Sequence, residues 1–117
     1  SDFITVEKTA FKISFAETLA DSAAVCLLAE KNGVVVGYVL GSYRRAFYAN
    51  GRVSWVEELF VEEALRKEGI GRELMQGFEN WAREQGCKQV ALATRRAGPF
   101  YEVLDYQDSA AYFKKKL

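Results

Sequence analysis

The stretch Val56-Glu57-Glu58-Leu59-Phe60-Val61-Glu62-Glu63-Ala64-Leu65-Arg66-Lys67-Glu68-Gly69-Ile70-Gly71-Arg72 decides the fold. Its first six residues end an apolar-rich run, Arg52 to Val61, that reads as a strand. The hydrophobic period then changes. Ile70, Leu74, Phe78 and Trp81-Ala82 recur every three to four residues, Arg72, Glu73, Gln76, Glu79, Asn80 and Arg83 fill the other face, and Gly86 stands at a C-cap position. This predicts a helix over Ile70 to Gln85. No Ser, Thr, Asn or Asp occurs between Trp55 and Glu79, so the helix starts without a side-chain N-cap and its first N–H groups lack partners. Arg66, Lys67 and Arg72 crowd the end that already carries partial positive charge, and Glu68 and Glu73 offset them only in part. An anion resolves both problems, because Gly69 and Gly71 let the backbone come close to it. The alternative is a tolerated glycine N-cap beneath a solvated charged face. Neither common nucleotide fingerprint is present: Leu74 stands where GxGxxG needs its third glycine, and GxxxxGK[ST] is absent.

Downstream, Lys88 to Thr94 alternates as a strand, and the intervening helix makes a parallel βαβ crossover the natural connection. Pro99 opens a second short helix over Phe100 to Leu104, and Ala110 to Phe113 reads as a final strand before Lys114-Lys115-Lys116. Upstream, Ala23 to Ala29 and Val34 to Tyr43 flank Asn32-Gly33, a strong hairpin signal. Gly37 and Gly41 inside the second of these strands point to bends, bulges or a close backbone neighbour. Tyr48-Ala49-Asn50-Gly51 turns into the Arg52 to Val61 strand. In residues 3 to 20, Phe11, Phe15 and Leu19 recur at a spacing of four and predict a short helix. The order β-β-β-α-β-α-β is a mixed α/β (α+β) sheet, mostly antiparallel, with one parallel crossover and flanking helices.

With 117 residues, 50% hydrophobic and 14% aromatic, the chain is read as one globular domain, 1–117, and disordered, collagenous and membrane-spanning classes are excluded. Sixteen Lys and Arg balance sixteen Asp and Glu, which supplies no overall field for a polyanion and argues against a dedicated nucleic-acid partner. There is no histidine, so imidazole catalysis and His-ligated metals are impossible and acid–base work falls to Glu, Asp, Tyr, Cys or Lys. Cys26 and Cys87 form no CxxC pair and read as reduced thiols of a cytoplasmic protein. No metal site and no membrane contact are expected.

Two motifs carry a family resemblance. Arg66-x-x-Gly69-x-Gly71, after Val56 to Val61 and opening an amphipathic helix, resembles the acyl-CoA signature R/Q-x-x-G-x-G/A of the GNAT superfamily of N-acetyltransferases. Ala97-Gly98-Pro99-Phe100-Tyr101-Glu102-Val103-Leu104-Asp105-Tyr106 resembles that family's FYExLGF or FYExLGY stretch. The pairing of the two motifs, in the right order, is specific. It implies the GNAT fold, acetyl-CoA as cosubstrate without a metal, and transfer of an acetyl group to a primary amine of a small molecule or peptide by direct attack. The backbone of Leu59, Phe60 and Val61 would then line the pantetheine arm. Arg66, Lys67, Glu68, Gly69, Ile70, Gly71 and Arg72 would take the pyrophosphate, and Thr94 stands where many members place a pantetheine-binding asparagine.

The resemblance also implies that Tyr101 protonates the departing thiolate and that Glu57 or Glu58 takes the amine proton, with strand alternation turning the two glutamates to opposite faces. Without the resemblance, an adjacent Glu pair is a solvated rim and Tyr101 beside Phe100 is core packing. Trp55, Phe78 and Trp81 are assigned to the core, and Cys87 to a filler position. Glu57, Glu58, Glu62 and Glu63 near the site mouth suit a cationic acceptor. Two departures stand out. Asp105 replaces the family glycine at a left-handed turn, and about 23 residues precede the hairpin where the family has a strand and two helices. Either the first strand is missing or the N-terminal region is rearranged, and an open acceptor side completed by a second subunit as a homodimer is expected. The rival functions are a non-catalytic acyl-CoA-binding domain and an interaction module whose Lys114-Lys115-Lys116 end meets an acidic partner.

Overall fold

The computed structural model describes residues 4–7, 22–47 and 50–117. Five strands form one sheet in chain order: β1 (Ile4–Glu7), β2 (Ala24–Lys31), β3 (Val34–Ala46), β4 (Gly51–Val61) and β5 (Cys87–Ala91). Helix α1 (Ile70–Glu84) joins β4 to β5, and a short α2 (Gly98–Val103) follows β5. β1 to β4 are antiparallel neighbours and β4–β5 is parallel, the crossover expected from the change of period. The β2–β3 turn is made by Asn32 at φ 53° and Gly33 at φ 78°, both left-handed, as a type I′ turn requires.

α1 lies on the sheet through one apolar stripe. Ile70, Leu74, Met75 and Phe78 are 0% exposed and join Val25, Ala29, Val39, Val56 and Val61 in a single core cluster. Burying each of these larger α1 side chains is worth about 1.5–3 kcal/mol. Two glycines let α1 sit this close. A Cβ on Gly41 would lie 2.4 Å from Phe78 Cε1 and 2.6 Å from the Trp55 carbonyl oxygen, and one on Gly37 would lie 2.7 Å from the Phe60 carbonyl oxygen. The register also slips at both places, between Ala29 and Glu30 opposite Gly37 and between Leu40 and Gly41.

Four expectations need correcting. A first strand is present, β1 at the sheet edge, and it occupies part of the span read as helical; the helix expected on Phe11, Phe15 and Leu19 lies outside the described residues. Ala110 to Phe113 is not a strand: residues 107–117 carry no regular structure, and Phe113 is 91% exposed. A short strand gains little without a partner, and β5, the last strand of the sheet, pairs only with β4. β5 itself ends at Ala91 rather than Thr94. Finally, Trp81 packs against the core as expected, but Trp55 is half-buried and outside the core cluster. Among the described residues no helix is long and apolar enough to cross a membrane.

Gly41→Ala is expected to lower stability by about 1–3 kcal/mol, because its methyl group meets a fixed carbonyl as well as the Phe78 ring. Urea unfolding checks this, and a midpoint equal to that of the unmodified protein would mean that α1 can back away from the sheet.

Candidate active site

β4 is the wall of the site. It pairs with β5 only from Arg52 to Trp55, against Cys87 to Ala91, and then runs on to Val61 with no strand on that side. The parting coincides with a bulge: Leu40 faces Glu58 and Gly41 faces Val56, so Glu57 is the extra residue, and simple alternation is interrupted there. Both glutamates are exposed. Glu58 accepts a hydrogen bond from the Tyr38 hydroxyl at 3.3 Å, beneath a Tyr38–Phe60 ring contact with centroids 5.8 Å apart. Burial, with the Glu58 charge beside it, raises the Tyr38 phenol above its ordinary range. Among the described residues Glu57 has no side-chain hydrogen bond or ion pair.

After β4 the chain makes one 3-10 turn (Glu63–Leu65) and enters α1 through Gly69, which is left-handed at φ 88° and makes no side-chain cap. The amides of Arg66 and Glu68 are already used, donating to the carbonyls of Glu63 and Leu65 at 3.4 and 3.2 Å. Those of Lys67, Gly69, Ile70, Gly71 and Arg72 find no acceptor among the described residues; the first helical bond runs from the Glu73 amide to the Gly69 carbonyl. The side chains divide in the same way. Glu68 pairs with Lys31 at 2.8 Å, which ties the β2–β3 turn to the loop, whereas Arg66, Lys67 and Arg72 form no ion pair among the described residues. Arg66 also donates from Nε to the Val61 carbonyl at 3.0 Å and so fixes the end of β4 to the loop. Open amides and unpaired cations therefore converge at one helix start, which the missing N-cap had indicated; the Arg66 and Lys31 contacts had no sequence signal.

α2 closes the other side. Phe100 reaches the loop: a Cβ on Gly71 would lie 3.2 Å from its ring and 3.8 Å from Val61. The ring of Tyr101 belongs to the core cluster, and the residue is 9% exposed. Its hydroxyl has no hydrogen-bond partner, and since no fully buried side-chain oxygen or nitrogen lacks one among the described residues, this hydroxyl opens to the surface. Burial pushes the phenol above its ordinary value. Thr94 Oγ1 accepts from the Ala97 amide at 3.2 Å and shapes the entry to α2. At the C-terminus of α2, Asp105 is left-handed at φ 70°, the Asp105 amide reaches the Glu102 carbonyl and the Tyr106 amide reaches the Tyr101 carbonyl, both at 3.0 Å. This is a Schellman end with Asp at the glycine position, and its customary apolar contact is Tyr106 on Tyr101.

Neither cysteine belongs to this constellation. Both are free thiols, and burial raises each of them, with Glu58 adding to the effect at Cys26. Among the described residues no cluster of Asp, Glu or Cys is arranged to hold a metal.

A strand that parts from its parallel neighbour, followed by an uncapped glycine loop opening a helix, is the arrangement that the resemblance to the GNAT acyl-CoA transferases implied. Residues 1–106 match the acetyltransferase (GNAT) family, and the chain belongs to it. It is 31% identical over 112 residues to the aminoalkylphosphonate N-acetyltransferase of Salmonella typhimurium, covering 92% of this chain and 73% of that one. It is 30% identical over 80 residues to the aminoglycoside N(6')-acetyltransferase type 1 of Klebsiella aerogenes, covering 66% of this chain and 52% of that one, so it spans about half the length of that relative. The crystal structure of a predicted acetyltransferase with acetyl-CoA from Clostridium acetobutylicum superposes with a TM-score of 0.76 at 22% identity, covering 88% of this chain and 70% of the other, which shows a shared fold.

Two substitutions with opposite signs test the turns that frame the site. Gly69→Ala should cost about 1–2 kcal/mol through its left-handed φ alone, since nothing lies within 4 Å of the added Cβ. Asp105→Gly should gain about 1 kcal/mol by relieving the same strain at the end of α2. Denaturant midpoints read both, and equal midpoints for the two variants would contradict the assignment of strain.

Proposed function

We propose that the chain is an N-acetyltransferase that moves an acetyl group from acetyl-CoA to a primary amine of a small molecule or peptide. The observation that carries this is the loop Lys67 to Arg72, whose open amides lie beside the unpaired charges of Arg66, Lys67 and Arg72, the complement of a diphosphate. Both relatives are N-acetyltransferases by name, one of aminoglycosides and one of aminoalkylphosphonates, and the Clostridium protein of the same fold was crystallised with acetyl-CoA. The pantetheine arm lies along Leu59, Phe60 and Val61, where β4 lacks a second strand neighbour among the described residues, and Thr94, which caps the entry to α2, is proposed as a further contact. Arg66 serves the loop in two ways: it braces Val61 and presents the rest of its guanidinium outward.

The amine nitrogen attacks the thioester carbonyl, the C–N bond forms and the C–S bond breaks. The amine proton passes to the carboxylates at the β4 bulge. Glu57 is the unengaged member, and Glu58 is oriented by Tyr38. Tyr101 donates its phenolic proton to the departing sulfur; a phenol raised by burial is fully protonated through the neutral range. The reading extends to one domain over residues 1–117 acting in the cytoplasm, where Cys26 and Cys87 stay reduced. A homodimer is supported by the exposed Tyr112, Phe113 and Leu117.

Acetyl-CoA at a hundredfold over its Kd should raise stability by about 2.7 kcal/mol in a melting experiment. Arg72→Ala should weaken that shift, and an unchanged melting curve with acetyl-CoA would refute the cofactor site. With a panel of primary amines, Tyr101→Phe should lower kcat about 10²-fold with acetyl-CoA affinity retained, and Glu57→Gln should do the same more strongly than Glu58→Gln. Binding without turnover on any amine would leave an acyl-CoA-binding domain instead.

A further inference from the structure

Tyr101 sits on a helix too short to hold its direction. α2 has 6 residues, fewer than two turns, and no side-chain cap at its start. What orients the phenol lies beyond its C-terminus. The Tyr106 amide bonds to Tyr101's own carbonyl at 3.0 Å, and the Tyr106 ring meets the Tyr101 ring edge-on, with centroids 5.7 Å apart at 70°. The Tyr106 hydroxyl in turn donates to Glu79 Oε2 at 2.7 Å, and Glu79 stands on α1, the most firmly buried helix of the fold. Packing alone does not confine the Tyr106 ring. A cavity of about 420 Å³ opens beside it, lined by Glu79, Arg83, Leu104, Asp105 and Tyr106 among others, so the ring has room to swing once the hydrogen bond is gone. Arg83 is the charged neighbour of Glu79, at 3.9 Å and with its side chain 70% exposed, and it leaves the carboxylate free to accept from Tyr106. Burial and the Glu79 carboxylate together hold the Tyr106 phenol protonated far above the ordinary range, so the donor persists at any working pH.

We propose that the Glu79–Tyr106 hydrogen bond is a positioning device: it anchors the end of α2 to α1 and thereby aims the Tyr101 phenol at the leaving sulfur. This rests on the role given to Tyr101 above. Neither Glu79 nor Tyr106 belongs to the loop Lys67 to Arg72, so their loss should act on kcat and spare acetyl-CoA binding.

Tyr106→Phe keeps the ring and removes the donor. It should lower kcat about tenfold while the acetyl-CoA Kd and the amine KM stay unchanged, because a phenol aimed wrongly by a fraction of an ångström loses rate and not binding. Glu79→Ala should match it, Glu79→Gln, which keeps an accepting oxygen, should restore most of the rate, and the Tyr106→Phe/Glu79→Ala pair should lose no more than either alone. In a Tyr101→Phe background, adding Tyr106→Phe should change nothing further. The two readings fail separately. If Tyr101→Phe keeps full turnover, the acid is wrong and the device has nothing to aim. If Tyr101→Phe is slow but Tyr106→Phe and Glu79→Ala turn over normally, or if they lose acetyl-CoA affinity in step with rate, the positioning role is overturned while the acid stands. Should Tyr106→Phe fail to fold, the contrast between Glu79→Gln and Glu79→Ala decides alone.

Discussion

Everything at the site depends on how closely α1 lies on β3. The Phe78 ring occupies the space a side chain at position 41 would need, and Leu74 does the same at position 37. With those contacts made, the helix axis is fixed relative to the end of β4, and its first turn is held just beyond Val61. Arg66 then closes the remaining freedom by bonding back to the Val61 carbonyl, and Lys31 draws Glu68 aside toward the β2–β3 turn. The open amides are thus directed by burial in the core more than by any interaction of the loop itself. An exposed ion pair such as Lys31–Glu68 contributes at most about 1 kcal/mol; the apolar α1 face contributes several times that.

The β4 bulge links the fold to the chemistry. An extra residue at 57 increases the local twist, and β4 leaves β5 immediately before it, after Trp55. One irregularity therefore opens the sheet to an extended ligand and breaks the alternation that would send Glu57 and Glu58 to opposite faces. Phe100 rests on Gly71 and meets the Tyr101 ring edge-on, so one contact brings the start of α2 to the loop, while the end of α2 is held separately by the Tyr106–Glu79 hydrogen bond.

Much of this was legible in the sequence wherever one residue type answers one local need. Asn32-Gly33 took the left-handed turn, Gly86 is left-handed after α1, Asp105 adopted the left-handed angle expected of its glycine position, and the absence of any capping side chain before Ile70 left its amides open. Periodicity located α1 to within a residue. What escaped depends on partners distant in the chain. Ala110 to Phe113 has the composition of a strand but meets no edge, and β5 stops at Ala91 because β4 has already turned away. The bulge at Glu57 is a property of two strands together. Glu79, assigned to the solvated face of α1, instead accepts from Tyr106, 27 residues on, a meeting that α2 brings about and no spacing rule encodes.

In the mechanism proposed above a phenol protonates a thiolate, and the match of the two groups is closer than their ordinary values suggest. In water a phenol near pKa 10 is a weaker acid than a thiol near 8.5, so full proton transfer to a free thiolate runs uphill. Both conjugate bases are anions, however, and removing water raises both values. The chain displays this for each partner, since burial raises Tyr101 and raises the thiols of Cys26 and Cys87 as well. A sulfur leaving beside the Tyr101 ring would be shifted in the same direction as its donor. The transfer is then governed by geometry, by whether the hydroxyl lies on the line of the breaking C–S bond, and not by bulk acidity alone. On the proposed mechanism the direction of the Tyr101 ring therefore matters to the chemistry alongside its acidity.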